Sequence, residues 1–387
     1  MRVLHVNKIF RPQFAGEGIF IERLCSVCAR LKPDVLHEVL VTATPEPETS
    51  LPLPAGIAAR YYLTPSKARA PASQISQIFW SVLNFRRFDV VHYHTHTDRT
   101  FLSCAFFKLL GRRIVLSATL DDSIPGILNT YRRSFRGLVT KLFGLIDRFV
   151  AISPKLRDEN VRFAPEERCA LIPMGIPIKR IDSEQRGDCR KSLGIDESTC
   201  VLVSVGGLCR RKDQMFLLRE LAQLGEGARQ TVLILVGPVV EPDYEAEMLA
   251  FIEKNNLEKQ VRLIGFTDQP WLYYGASDVM VFASQEEGFG TAMIEAMASG
   301  LPLVARLLPG VNDSFIEHGK TGFLFTDAAA YRNHLLDLIK SPELRRQMGE
   351  QAQEFATKHF NIEDTAAKYL EIYGFPLESS RPAQTLA

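Results

Sequence analysis

Short runs of aliphatic and β-branched residues alternate with stretches of helical spacing along the chain. In the first half the runs fall at 2–6, 35–43, 89–93, 113–117, 147–152 and 168–172. Between them, 18–32 and 99–110 carry apolar residues three and four apart, the spacing of one helix face. The second half repeats the theme with VLVSVG (201–206), TVLILVG (231–237), VRLIG (261–265), VMVFA (279–283) and PLVA (302–305). None of these runs alternates with polar residues, so both strand faces must be covered, as in parallel sheets enclosed by helices. IPMGIPIKR at 172–180 is rich in Pro and Gly and precedes a charged segment, which marks a linker. The pattern predicts two Rossmann-like, doubly wound α/β domains, 1–178 and 179–360. A chain of 387 residues is also too long for one comfortable core. Ligands of such sheets bind beyond the carboxyl ends of the strands, so two facing domains would define a cleft.

Composition (46% hydrophobic, 24% charged, no low-complexity tract) is that of a soluble globular protein. The N-terminal MRVLHVNKIF is interrupted by Lys8, and no run approaches the ~18 residues of a membrane span. A cytoplasmic location with reduced cysteines is therefore expected. Cys25 and Cys28 form a CxxC in an amphipathic stretch, with no second pair to complete a zinc site, and read as small buried helix residues. Net charge is +1, but residues 1–180 hold 26 Lys and Arg against 15 Asp and Glu, and the remainder 20 against 30. The basic half should face something anionic, a membrane surface or a phosphorylated acceptor. No nucleic-acid-binding signature accompanies it, so nucleic acid is not expected as a partner. A dinucleotide fingerprint fails as well: after the first run, FAGEGIFIE (14–22) would need glycine at Ile21.

The informative segment is VFASQEEGFGTAMIEAMASGLPLVA, 281–305. A buried run ends near Ser284, a loop carries Glu286, Glu287, Gly288, Phe289 and Gly290, and a helix begins near Thr291, which can cap it. The two glycines let backbone approach a ligand, and the amides at the helix start favour phosphate. Glu287 on the loop can accept from sugar hydroxyls, while Glu295, inside the helix, can reach a ribose diol. The plainer reading of two such glutamates alone is a solvated turn and a helix surface.

They come with companions. EGFGTAMIEAMASGLPLV resembles the Glu-x7-Glu signature of the family 4 retaining glycosyltransferases, which have the GT-B fold. DVVHYH (89–94), DRFVAIS (147–153), LIPMGI (171–176), VSVGGLCRRKD (203–213), ASDVMVFAS (276–284) and HGKTGFLF (318–325) resemble further family motifs in the same order, so the resemblance covers nearly the whole chain. It implies transfer from a nucleoside diphosphate sugar, UDP-linked, to a hydroxyl acceptor, with the donor as substrate and no cofactor; no Asp-x-Asp motif occurs, so a metal-held diphosphate is not indicated. It implies that Lys212 contacts the diphosphate, Glu287 the donor sugar and Glu295 the ribose. It further implies that the Gly288, Phe289, Gly290 and Thr291 amides surround the leaving phosphate. Gly16 and Gly18 would lie in the loop after the first strand near the donor phosphates, and Phe266 where backbone meets the base. Residues 361–387 would cross back as helix and tail onto the N-terminal domain.

Two positions depart from the family pattern. Gly207 stands where arginine is usual, and Arg210 or Arg211 is the expected substitute, Arg211 being nearer the helix start. Thr119 stands where many members carry histidine, and Asp121 or Asp122 is expected to supply the polar contact, Asp121 being the catalytic candidate. His92, His94 and His96 share a spacing that suggests a metal, but the strand should end near 93, and no metal is expected. YRRSFRGLVTKLFGLIDRF (131–149) reads either as a core helix with a solvated basic face or as an amphipathic helix on an anionic membrane. The expected function is therefore a retaining hexosyl transfer in cell-surface polysaccharide or glycolipid assembly, at the inner face of the membrane. The alternatives are a nucleotide-sugar epimerase or sugar-phosphate synthase on the same fold, and a non-catalytic scaffold.

Overall fold

Buried backbone groups must pair, and the apolar runs of this chain pair into two wholly parallel sheets. The computed structural model describes residues 1–10, 16–42, 53–61, 80, 82–94, 102–119, 123–129, 131–179, 181–225 and 230–377. They divide into two units, Met1–Gly175 with Ile362–Ala387, and Ile176–Asn361. The first unit holds β1 (Arg2–Asn7), β2 (Leu36–Val41), β3 (Ile57–Tyr61), β4 (Val90–Tyr93), β5 (Arg113–Ala118), β6 (Arg148–Ala151) and β7 (Cys169–Leu171), in the order β3-β2-β1-β4-β5-β6-β7. The second holds β8 (Cys200–Val205), β9 (Thr231–Val236), β10 (Val261–Gly265), β11 (Val279–Phe282), β12 (Leu303–Arg306) and β13 (Gly322–Phe325), in the order β10-β9-β8-β11-β12-β13. Each chain path winds outward one way, returns to the middle and winds outward the other way. The winding reverses between β1 and β4 in one sheet and between β8 and β11 in the other.

The helices used below are α1 (Gly16–Leu31), α2 (Ser103–Leu109), α3 (Ser123–Asn129), α4 (Arg133–Phe143), α5 (Pro154–Asn160), α6 (Ser183–Ser192), α7 (Gln214–Gln223), α8 (Pro242–Lys254), α9 (Pro270–Ala276), α10 (Thr291–Ala298), α11 (Ala328–Lys340), α12 (Pro342–His359) and α13 (Ile362–Tyr373). Their starts follow local chemistry. Asp182 and Gln185 close a capping box on α6, and Ser341 caps α12 with Pro342 in its first turn. The last helix, α13, belongs to the first unit: Glu363 pairs with Arg30 of α1 at 2.7 Å, and Tyr369, Leu370 and Tyr373 are buried.

Two strands lie outside the hydrophobic runs. Both are edge strands: β3 has Ala58 and Arg60 exposed, and β13 is a short GFLF whose two middle residues are only partly buried. The helix expected over 131–149 is shorter, because Phe143 is its last residue. Beyond it, Asp147 accepts from Ile114 N at 2.8 Å and from Lys108 Nζ at 2.5 Å, which starts β6. At the amino ends of β8 and β11, Asp278 accepts from Arg186 at 2.9 Å, from the 1%-exposed Arg190 at 2.8 Å and from Val201 N at 2.7 Å.

Candidate active site

β8 and β11 are neighbours at the point where the second sheet reverses its winding, and their carboxyl ends release the two loops that carry the sequence motifs. Such a point is where doubly wound sheets bind ligands. The loops are tied to each other through backbone: Gln285 N donates to Arg211 O at 2.9 Å. Their side chains then meet at one carboxylate. Glu287 Oε1 accepts from Lys212 Nζ at 2.5 Å, from Ser284 Oγ at 2.7 Å and from Arg211 Nη1 at 3.1 Å. Glu287 and Lys212 are 10% and 15% exposed, Arg211 43%, so the pair is sheltered and the arginine stands at its mouth. Two cations around one carboxylate leave one positive charge unbalanced, which suits an anionic ligand. Lys212 Nζ also lies 5.1 Å from the centroid of the Phe282 ring, on an apolar floor.

The left-handed Asp213 (φ 51°) ends the turn Arg210–Lys212 and starts α7. Its carboxylate accepts from Arg306 at 3.0 Å, and Arg306 also donates to Ala283 O at 2.9 Å, so β12 braces both site loops. Of the two candidate arginines, only Arg211 turns to Glu287. Arg210 is held by Glu247 of α8 through two bonds of 2.7 and 2.8 Å, and this guanidinium keeps the Glu247 carboxyl below the usual carboxylate range. Gly207 has a local cause: a Cβ there would sit 2.6 Å from Val240 Cγ2, so an arginine would displace its neighbour.

The helix α10 begins as expected, but its cap differs. Gly290, at φ +87°, is the N-cap and Thr291 is the first helical residue, with no side-chain cap. The positive φ favours glycine, and a Cβ at Gly290 would push aside the Met293 methyl. With no side-chain cap among the described residues, the first amides of α10 remain available to an anion. Gly288 is buried, and the Phe289 ring, 3% exposed, packs among Phe315 and Phe360; only backbone is offered there. Glu295, half-buried on α10, accepts from Tyr274 OH of α9 at 3.3 Å. Phe266 is 59% exposed immediately beyond β10.

In the first unit, Gly16 and Gly18 belong to the first turn of α1 rather than to a loop, and a Cβ at Gly18 would sit 3.2 Å from Ile9 O. Thr119, just beyond β5, donates its hydroxyl to Glu17 Oε1 of α1 at 2.7 Å. Asp121, Asp122 and His96 lie outside the described residues. His92 is bonded through one ring nitrogen to Tyr373 OH at 2.8 Å and through the other to Ser117 Oγ at 2.6 Å. Ser284, Arg306 and Tyr274 are site neighbours in the second unit that sequence reasoning missed, as is Glu17 beside Thr119 in the first unit. Ser284 had a signal, as the hydroxyl at the end of a buried run before the acidic loop, and Glu17 stands between the two singled-out glycines; Tyr274 and Arg306 carry no such local signal.

Two parallel α/β units with these loops at the carboxyl edge have the fold of the GT-B glycosyltransferases. The structure of Anabaena HepE in complex with UDP and glucose matches with a TM-score of 0.76 at 19% identity, over 97% of this chain and 99% of that one. Family profiles match residues 14–180, described as Glycosyltransferase Family 4, and residues 185–355, described as Glycosyl transferases group 1. The chain belongs to this family and is a glycosyltransferase. The N-acetyl-alpha-D-glucosaminyl L-malate synthase of Bacillus anthracis is 25% identical over 288 residues, 74% of each chain. The alpha-monoglucosyldiacylglycerol synthase of Acholeplasma laidlawii is 26% identical over 304 residues, 74% of this chain and 75% of its own.

Proposed function

We propose that the enzyme transfers a sugar from a UDP-sugar to a hydroxyl acceptor with retention at the anomeric carbon, in assembly of a cell-surface polysaccharide or glycolipid. The observation that carries the reading is the convergence of Lys212, Arg211 and Glu287 beside the uncapped start of α10. The breaking glycosidic bond leaves charge on the diphosphate. Lys212, Arg211 and the amides of 288–291 stabilise that charge, and each such preorganised donor is worth about 3–4 kcal/mol of barrier. All three bonds to Glu287 named above fall on Oε1, and Oε2 takes the donor-sugar hydroxyls. Glu295 takes the ribose diol. The acceptor attacks from the face the diphosphate leaves, and a phosphate oxygen receives its proton. HepE, with UDP and glucose bound, supports the donor class, and the diacylglycerol synthase supports a glycolipid acceptor.

The test is a panel of UDP-, GDP- and ADP-sugars scored by protection against heat unfolding. A ligand at 100 times its Kd stabilises by about 2.7 kcal/mol. Protection by GDP- or ADP-sugars alone overturns the UDP assignment, and an inverted product overturns retention. Release of a free sugar isomer without acceptor supports the epimerase alternative instead.

The same reading includes peripheral contact with an anionic membrane through α4. No helix among the described residues is long and apolar enough to cross a membrane. Val139 and Phe143 of α4 are buried, whereas Phe135 and Leu138 are 56% and 57% exposed beside the exposed Arg132, Arg133 and Lys141. Apolar side chains amid cations match a surface that lies in the headgroup layer. Binding to anionic vesicles should fall as salt rises, and replacing Arg132, Arg133 and Arg136 with Gln should weaken it while donor hydrolysis persists. Equal sedimentation with neutral and anionic lipid would sink this part.

A further inference from the structure

The face of the first sheet beneath α1 is lined with imidazoles. His5 on β1, His37 on β2, His92 on β4 and His94 just beyond β4 are all at most 2% exposed, and Cys25 of α1 is wholly buried against them. Three of these groups aim donor atoms at one point. His5 Nε2 lies 3.1 Å from His37 Nδ1 and 3.3 Å from Cys25 Sγ, and the three atoms fall within 4.8 Å of one another. We propose that His5, His37 and Cys25 form a buried site for a monovalent copper ion in the first unit.

The first argument is one of counting. His5 Nε2 has a single lone pair or a single N–H, yet it faces two partners at bonding distance. One hydrogen bond uses one of them and leaves the other contact unbonded. A cation at the meeting point uses all three converging lone pairs at once. Bonds of about 2.0 Å to nitrogen and 2.3 Å to sulfur imply donor separations of about 3.3–3.8 Å, so His5 Nε2 needs to part from His37 Nδ1 and Cys25 Sγ by only a few tenths of an ångström. The second argument is orientation: His5 Nδ1 bonds to His94 Nε2 at 3.2 Å, the outer contact that fixes the ring of a metal-bound histidine.

Charge selects the ion. Two neutral imidazoles and one thiolate carry a single negative charge. A monovalent ion gives a neutral centre, whereas Zn²⁺ would leave a positive charge in an interior that penalises it. A soft thiolate with imidazoles is also a donor set that copper(I) accepts. Binding replaces the Cys25 S–H bond by a sulfur–copper bond and releases the proton to solvent. Copper remains monovalent, so no redox partner is needed. The ion would pin α1 to β1 and β2. His92 is excluded because both its nitrogens are engaged. The inference revises the metal-free expectation, which read Cys25 as a small buried helix residue and weighed His92, His94 and His96 without His5 or His37, and it is independent of the donor-site reading.

The experiment uses the full chain without oxygen. Copper(I) is supplied as its acetonitrile complex, a copper(I) chelator is added in excess, and retained metal is counted after desalting. Wild type and Cys28→Ser should keep one equivalent, and Cys25→Ser should lose it. Wild type keeping none, Cys25→Ser keeping as much as wild type, or Cys28→Ser losing equally would each overturn the proposal. Retention of Zn²⁺ in place of copper under a matched zinc chelator would overturn the choice of ion. If Cys25→Ser does not fold, X-ray absorption on the copper-loaded wild type decides: one sulfur and two imidazole nitrogens are expected, and a shell without sulfur, or with several, refutes the site.

Discussion

Asp278 and Glu287 flank the same buried strand, β11, and each gathers two cations and one further donor, yet they stand at opposite ends of the sheet. Asp278 lies at the amino end with Arg186, Arg190 and Val201 N; Glu287 lies at the carboxyl end with Arg211, Lys212 and Ser284. Arg190 is 1% exposed and further donates to four backbone carbonyls, so its charge has no other place to go. Arg211 is 43% exposed and Lys212 sits on a loop beside a helix start, so their charges can be handed to a ligand. Similar ion clusters thus differ by place: position relative to the strand ends separates a structural staple from the candidate binding site.

The comparison breaks most sharply on stability. Asp278→Ala leaves Arg190 buried and unpaired and should cost about 3–5 kcal/mol by denaturant unfolding. Glu287→Gln, which keeps shape and hydrogen bonding, should cost less than about 1 kcal/mol. Equal losses would mean that Glu287 too is a structural staple.

On turnover the order reverses. Lys212→Ala should lower kcat about 10²–10³-fold without unfolding the protein, the usual loss when one preorganised donor is removed from developing charge. A change of less than threefold in steady-state rate would exclude Lys212 from diphosphate stabilisation.

The two glutamates should then separate by ligand. Glu287→Gln should lower turnover while UDP binding persists. Glu295→Ala should weaken UDP binding about tenfold, the worth of a hydrogen bond to a charged group. Titration calorimetry with the nucleotide alone decides, and equal losses in both variants would contradict the assignment.

The smallest effect concerns the arginines beside Lys212. Arg211→Ala should lower turnover about three- to tenfold, discounted for its exposure. Arg210→Ala, whose side chain is spoken for by Glu247, should leave turnover near wild type. The opposite ranking would show that Arg210 abandons Glu247 when donor binds.

Local pattern along the chain was enough for the fold class and for part of the candidate site. Unbroken apolar runs such as TVLILV admit no polar face, so they had to become parallel strands between helices. The loop 284–290 and helix 291–298 were legible because glycine, acid and helix-stop signals are local, and Lys212 was legible through a motif in its own segment. Tertiary structure decided which distant residues complete the site. Arg211 rather than Arg210 faces Glu287 because Glu247, on another helix, holds Arg210 away. Arg306 braces Asp213 from 93 residues further along. The cap of α10 fell to Gly290 rather than Thr291 because backbone dihedrals, not residue preference, set where a helix begins. The same holds for His5, His37 and Cys25, which look unremarkable in sequence. Only the pairing of β1 with β2, and the packing of α1 over them, turns three separate segments toward a common point. Spacing along a chain constrains neighbours within a turn or a strand, and contacts across a sheet depend on register and packing that no local pattern encodes.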